Sequence, residues 1–305
     1  MPTGRFAPSP SAPLHLGNLR TALLAWAAAR SEGGRFLVRV EDLTTSPGDP
    51  RAAEVAEAQL ADLAALGLDH DGAVVRQSER HDRYAAALAD LGSAGLTYPC
   101  FCTRREIREA SVAPHGPDVE GAYPGTCRSL TDDERREREA SGRPPALRLR
   151  AGGATVTVED ELLGARTAIV DDLVLRRADG AVAYNLAVVV DDADQGVDRV
   201  VRGDDLWDTT PRQVLLQRLL GLPTPRYLHV PLVLGPSGER LAKRDGAVTL
   251  ADRLALGEDV ASVVGRLAWS AGLADDGERL TAADVAARFD VARLVRTPWV
   301  LTGTS

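Results

Sequence analysis

Apolar positions along this chain follow two alternating periods. Arg5-Phe6-Ala7 and Phe36-Leu37-Val38-Arg39-Val40 are short β-rich runs, the second closing on Glu41-Asp42. Between 51 and 66, Val55, Leu60, Leu63 and Leu66 recur at helical spacing, and Gly67 ends the pattern. A further helix is predicted from Glu79 to Ala94. Leu173 to Tyr184 reads as a hairpin turning at Asp179-Gly180, and Tyr227 to Leu234 as one more strand. Helical segments are predicted at 249–256, 258–271 and 281–289. Strands that alternate with helices imply an α/β fold with a parallel, nucleotide-binding sheet. Residues 98–172 break this rhythm and read as an insertion. The predicted organisation is therefore 1–97 and 173–246 as two halves of a catalytic domain, 98–172 as the insertion, and 247–305 as a short helical C-terminal region.

The N-terminal pattern carries the first candidate chemistry. Residues 4 to 20 run Gly-Arg-Phe-Ala-Pro-Ser-Pro-Ser-Ala-Pro-Leu-His-Leu-Gly-Asn-Leu-Arg. Pro8, Pro10 and Pro13 force an extended loop after the strand. Asn18 is expected to cap a helix from about Leu19 to Arg30. A strand, a stiff loop and a helix N-terminus offer unpaired N–H groups and a positive dipole to an anion. Gly17 allows close approach of a nucleotide, and His15 can donate to a phosphate oxygen. Lys+Arg number 36, and the only lysine is Lys243, in Arg240-Leu241-Ala242-Lys243-Arg244. A lone lysine in so arginine-rich a chain marks a place where a flexible point charge is wanted, as for phosphate.

Arg5-Phe6-Ala7-Pro8-Ser9-Pro10-Ser11 with Leu14-His15-Leu16-Gly17-Asn18 resembles the HIGH signature of class I aminoacyl-tRNA synthetases in its glutamyl form, and the Lys243 segment resembles their KMSKS loop. The blocks Tyr184 to Asp192 and Val201-Arg202-Gly203-Asp204-Asp205 are also similar to glutamyl enzymes. The resemblance covers nearly all of residues 1 to 250. Asn18 departs from the signature, and Arg240 and Ala242 replace the first Lys and the Ser of KMSKS. The likeness implies a Rossmann-type class I catalytic domain that activates L-glutamate with ATP, accompanied by Mg2+. It implies ATP contacts at His15, Gly17, Asn18 and Lys243, with His15 and Lys243 as the catalytic pair. Arg5 and Arg202 would each grip a glutamate carboxylate. Arg5 is expected on the side chain and Arg202 on the α-carboxylate, with Glu41 and Ser9 at the α-amino group and Tyr184 hydrogen-bonding a carboxylate.

All three cysteines lie between 100 and 127. Clustered cysteines of this kind suggest metal rather than disulfide. Zinc takes four ligands, so Cys100, Cys102 and Cys127 leave one place open. General ligand chemistry points to His115. The pattern Cys-x-Cys…Tyr-x-x-x-Cys resembles the short glutamyl-queuosine tRNA(Asp) synthetases and implies Tyr123 instead, in a structural zinc site within the insertion. Only 59 residues, Ala247 to Ser305, follow Gly246, too few for the anticodon-binding portion of a full glutamyl-tRNA synthetase. The short enzymes attach glutamate to queuosine in the anticodon of tRNA(Asp), so the implied partner is that anticodon loop, bound by a monomer. Two alternatives stay open at this point: a ligase that joins an activated amino acid to a small acceptor, and a non-catalytic RNA-binding relative.

Charge and composition change the picture little. Hydrophobic content of 44% and charged content of 26% are ordinary for a soluble globular chain. A net charge of −8 does not by itself favour RNA, so a local basic surface is expected. Arg104, Arg105 and Arg108 are candidates. Arg135, Arg136 and Arg138 are interleaved with glutamates and read equally well as a solvated helix face. No secretory signal pattern or bilayer-length apolar run is present, so a cytoplasmic protein without membrane contact is expected.

Overall fold

The structure is a computed structural model that describes residues 1–43, 49–111, 123–239, 241 and 248–301, without the side chains of 108–111. The chain begins β1 (Thr3–Phe6), α1 (Leu16–Arg30), β2 (Arg35–Val40), α2 (Pro50–Ala65), β3 (Val75–Arg76) and α3 (His81–Ser93). It continues with β4 (Thr97–Cys100), α4 (Arg104–Ser111), α5 (Asp132–Ala140), β5 (Ala146–Leu149), β6 (Thr155–Asp160), β7 (Gly164–Ile169) and β8 (Val174–Arg176). Then come α6 (Tyr184–Asp194), β9 (Arg199–Gly203), α7 (Thr210–Leu219), β10 (Arg226–Val230) and β11 (Val233–Leu234). The last elements are α8 (Leu250–Ala255), α9 (Val260–Trp269), α10 (Ala282–Ala287) and β12 (Trp299–Val300).

The expected parallel pairing is present. β1, β2 and β3 pair in that order, all parallel, and β9, β10 and β6 form a second parallel run. The two runs meet at β1 and β9, where the N–H of Asp198 donates to the carbonyl of Thr3 at 3.0 Å. α1 crosses over from β1 to β2. From Ala22 to Ala29 it is apolar on every side because it is covered on every side, and Ala22, Leu23, Ala27 and Ala28 are essentially inaccessible. α9 and α10 supply part of that cover through Val263, Val264, Leu267 and Val285, so the C-terminal helices share one core with α1. Gly265 permits this closeness, since a Cβ there would stand 1.7 Å from the carbonyl of Glu278.

Local chemistry explains most element boundaries. Asp49 caps α2 by accepting the N–H of Arg51, Pro50 starts it, and Gly67 leaves it at φ +76. The predicted helix at 79–94 begins properly at His81, after a 3-10 turn over Gln77–Glu79. The predicted strand 227–234 is two strands, because Pro231 has no N–H to continue the ladder. The predicted hairpin is shorter than expected. Its turn closes through Arg177 N–H to Ala181 carbonyl at 2.8 Å with Gly180 at φ +88, but the return arm pairs only at Val182 before α6 begins. From the insertion, β4 pairs with β5 and β5 with β8 in a separate antiparallel sheet, whereas β6 joins β10 in the parallel run. α5 buries no residue, and Arg135 and Arg136 pair with Asp132 and Asp133 on their own helix, as a solvated face would.

Candidate active site

His15 takes the capping role expected of Asn18. α1 starts at Leu16, the His15 Nδ1 accepts the backbone N–H of Asn18 at 3.2 Å, and the Asn18 Oδ1 accepts the N–H of His15 at 3.2 Å. Asn18 thus sits at N3 of a capping box rather than at the cap. With Nδ1 used as an acceptor, the ring proton of the neutral form resides on Nε2, which becomes a donor at the helix N-terminus. Burial holds the His15 pKa below its ordinary value, so the ring is neutral at physiological pH. The role of Gly17 is steric. A Cβ there would stand 3.0 Å from two atoms of the His15 ring and 3.3 Å from Val233.

The residues that follow the lysine segment, Val248 and Thr249, meet the same helix start. Leu241 is buried in the α1 core, the N–H of Leu16 donates to the carbonyl of Val248 at 2.7 Å, and His15 bridges Thr249. Lys243 itself, with Arg240 and Ala242, lies outside the described residues.

β1, β2 and α6 converge on a buried charge cluster. Arg5 gives its Nε to Asp192 Oδ1 at 3.2 Å, its Nη2 to Asp192 Oδ2 at 3.5 Å and its Nη1 to the Val201 carbonyl at 3.4 Å. Arg39, wholly inaccessible, reaches Asp192 at 2.7 Å, Gln195 at 2.8 Å and Glu41 at 3.3 Å. Behind them Asp191 accepts from Gln77, Arg80 and Tyr84. Burial raises the Glu41 carboxyl despite the nearby cations Arg39 and Arg5, and lowers nothing for Asp192, whose pKa is held down by those same arginines against the cost of burial. Ser9 is exposed, and it adjoins Glu41 because the Glu41 N–H donates to the Pro8 carbonyl at 2.9 Å. Tyr184 opens α6 with its ring over a third exposed, while loss of hydration and the Glu41 charge push its phenol up.

Arg202 on β9 is buried differently. Its Nε donates to His229 Nε2 at 3.0 Å, its Nη1 to Gln213 Oε1 at 2.8 Å and its Nη2 to Thr210 Oγ1 at 2.9 Å. Of Arg5, Arg39 and Arg202, only Arg202 has no carboxylate partner among the described residues. Arg5 and Arg202 each spend three of five N–H groups on the protein, which leaves one on each terminal nitrogen for a ligand. A cleft of about 690 Å³ is lined by Tyr184, Asn185, Asp171, Arg212, Tyr123 and Arg104 among others.

The three cysteines converge. Their Sγ atoms lie within 4.8 Å of one another, with Cys102 and Cys127 at 3.5 Å. The Tyr123 hydroxyl stands 3.3 Å from Cys100 Sγ and 3.7 Å from Cys102 Sγ, and accepts the N–H of Cys127 at 2.8 Å. A tetrahedral site with Zn–S near 2.3 Å has edges of roughly 3.8 Å, so this spacing fits three thiolates and a phenolic oxygen around one ion. Hydrogen bonds from Cys102 and Cys127 hold the Cys100 thiol well below its usual value. Arg148 stacks 3.7 Å over the Tyr123 ring. His115 lies outside the described residues.

Sequence reasoning missed Arg39, Asp191, Asp192, Gln77, Asp160 and His229. A usable signal existed: each charged one interrupts or ends an apolar run, as Arg39 does within 36–40 and Asp191-Asp192 after Val188-Val189-Val190. A charge inside an apolar strand or helix face is usually buried and paired.

Comparison with known proteins agrees with this geometry. Residues 3–304 match the family described as tRNA synthetases class I (E and Q), catalytic domain. A glutamyl-Q tRNA(Asp) synthetase of Nocardia farcinica is 60% identical over 98% of this chain and 93% of its own. One from Symbiobacterium thermophilum is 50% identical over 97% and 94%. The crystal structure of a glutamate tRNA ligase from Elizabethkingia meningosepticum, in complex with its amino acid, superposes with a TM-score of 0.82 at 25% identity, covering 99% of this chain and 67% of that one. The α/β body with its capped helix and arginine cluster thus belongs to the class I (E and Q) tRNA synthetase family, among the glutamyl-Q tRNA(Asp) synthetases.

Proposed function

We propose that this protein activates L-glutamate with ATP and transfers it to the queuosine base in the anticodon of tRNA(Asp). The observation that carries the amino-acid half of this reading is the Arg202 charge. Glutamate brings two carboxylates and one ammonium, a net single negative charge, and Arg202 is a buried cation whose partners are all neutral. Removing its charge partner strands a buried ion at a cost of about 3–5 kcal/mol, so such a site favours an anionic ligand. Arg202 holds the α-carboxylate and Arg5 the side-chain carboxylate, each through the two N–H groups it has left. Glu41 and Ser9 take the ammonium, and Tyr184 closes over the pocket and hydrogen-bonds a carboxylate.

In the first step the α-carboxylate oxygen attacks the α-phosphorus of ATP and pyrophosphate departs. No protein nucleophile is needed; positioning and charge neutralisation suffice. Neutral His15 donates from Nε2 to the phosphates beside the N-terminus of α1, with Gly17 and Asn18 shaping that end, and Lys243 supplies the mobile cation. In the second step a hydroxyl of the base attacks the adenylate carbonyl and AMP departs. The base enters through the cleft that Tyr184 lines, because Tyr184 is shared with the proposed glutamate site and Arg104 and Arg212 line the same cleft as cations for RNA. Cys100, Cys102, Tyr123 and Cys127 hold one structural zinc that fixes the wall opposite.

Pyrophosphate exchange without tRNA tests the amino-acid half. Glutamate should support exchange; Arg5→Ala should lose the preference for glutamate over glutamine, and Arg202→Ala should weaken glutamate, glutamine and aspartate alike. An Arg5→Ala enzyme with its preference intact would remove Arg5 from this role.

A further inference from the structure

We propose that His229, held by Asp160, is a positioning residue that aims the Arg202 fork at the amino acid; the proposal rests on the reading of Arg202 as a carboxylate ligand. β10 and β6 run parallel and pair at Tyr227 and Asp160, which brings the two side chains together across the ladder. One carboxylate oxygen of Asp160 accepts both the backbone N–H of His229, at 2.9 Å, and its Nδ1–H, at 2.7 Å. The other accepts the N–H groups of Leu162 and Leu163 at 2.9 and 2.8 Å. Asp160 is therefore immobilised by the turn that ends β6.

Because Nδ1 faces a carboxylate, it carries the ring proton. Nε2 is then a lone pair, and it receives Arg202 Nε at 3.0 Å. The imidazole cannot swing away. Trp207 packs against it, tilted, at 4.9 Å, and Tyr227 stacks on it at 5.9 Å. All of His229 and nearly all of Asp160 are buried.

The intervening ring has a physical purpose. A carboxylate placed directly on Arg202 would neutralise it and compete with the substrate for the same fork, as Asp192 shares Arg5. A neutral imidazole polarised by a remote carboxylate orients the guanidinium equally well, yet leaves its positive charge for the ligand. The same chain logic fixes ring orientation behind metal-bound histidines. Here it acts through arginine.

The test is pyrophosphate exchange, with heat stability measured alongside. His229→Leu and Asp160→Asn should raise KM for glutamate about tenfold, the worth of one charge-assisted hydrogen bond. KM for ATP should stay within about twofold by the same reasoning, since Arg202 does not face the nucleotide. His229→Gln, which keeps an acceptor where Nε2 stands, should recover most of the loss and also serves if His229→Leu does not fold. Arg202→Ala is the reference. If it leaves KM for glutamate unchanged, the underlying reading of Arg202 fails. If it raises KM while His229→Leu and Asp160→Asn do not, the positioning role fails alone. Equal rises for glutamate and ATP that track a lowered Tm would show a merely structural pair and overturn the proposal.

Discussion

At the scale of single residues, His15 shows how a helix cap can fix the donor state of a side chain proposed to meet a ligand. Its Nδ1 completes the cap of α1, and that hydrogen bond decides which nitrogen is left to donate. Gly17 makes the arrangement possible, because a methyl group there would press on the imidazole at 3.0 Å. Gly17→Ala should leave the fold intact and cut pyrophosphate exchange by about 10- to 100-fold, the scale expected for a catalytic group misplaced by about 1 Å. Kinetics together with a melting curve check this; unchanged kcat would show that the ring position does not matter. The buried arginines differ in the same instructive way. Arg39 is matched by acids and serves the scaffold, so Arg39→Leu should cost about 3–5 kcal/mol in stability by leaving Glu41 without its ion-pair partner and Asp192 with Arg5 alone, measurable as a fall in the urea midpoint.

At the scale of elements, apolar runs identified the strand at 36–40 and one strand over 227–234 where there are two, and apolar spacing the helices at 51–66, 258–271 and 281–289, because a strand buried on both faces reads as a run and a half-buried helix as a period. Cap identity was harder to read. Asn18 is the commoner capping type, and only the three-dimensional turn shows His15 accepting in its place. The cysteine cluster was legible from spacing alone, since Cys100 and Cys102 share a face of an extended segment and Cys127 returns to them. The pairing within the charge cluster was not, for apart from Arg39 and Glu41 its partners lie more than 100 residues apart, and Arg39 and Asp192 lie 153 apart. No local period encodes a pairing of that kind. The thiol geometry predicts about one zinc per chain in protein purified without chelator. Cys100→Ser should abolish it and lower the stability of the sheet of β4, β5 and β8. Tyr123→Phe should weaken it while sparing the thiols. Elemental analysis reads both, and a metal-free wild type would contradict the site.

At the scale of the whole molecule, two histidines, His229 buried and His15 half-buried, link stability to pH. Burial lowers the folded pKa of His15 and His229 below the ordinary value of 6.5. The unfolded chain therefore takes up these protons first as pH falls. Their stabilising contribution is complete above about 6.5 and declines as pH drops through 6.5 toward the folded values. The raised carboxyls of Glu41 and Asp204 act with the opposite sign at lower pH, so the histidine share is read by difference. The fall in Tm between pH 8 and pH 6 should be smaller in His229→Gln than in the natural protein, and an identical profile would contradict the assignment. Catalysis draws on the same global arrangement. β1, β9 and α6 bring Arg5, Arg202 and Tyr184 from three parts of the chain close enough for both arginine charges to act on the phenol, and Tyr184 also lines the cleft. The most direct measurement is transfer of labelled glutamate, with ATP, to tRNA(Asp) that contains queuosine and to the same tRNA without it. The account predicts label on the queuosine-containing tRNA alone, retained after the 3′-terminal nucleotide is removed. Equal labelling of both tRNAs, or label lost with the 3′ end, would contradict it.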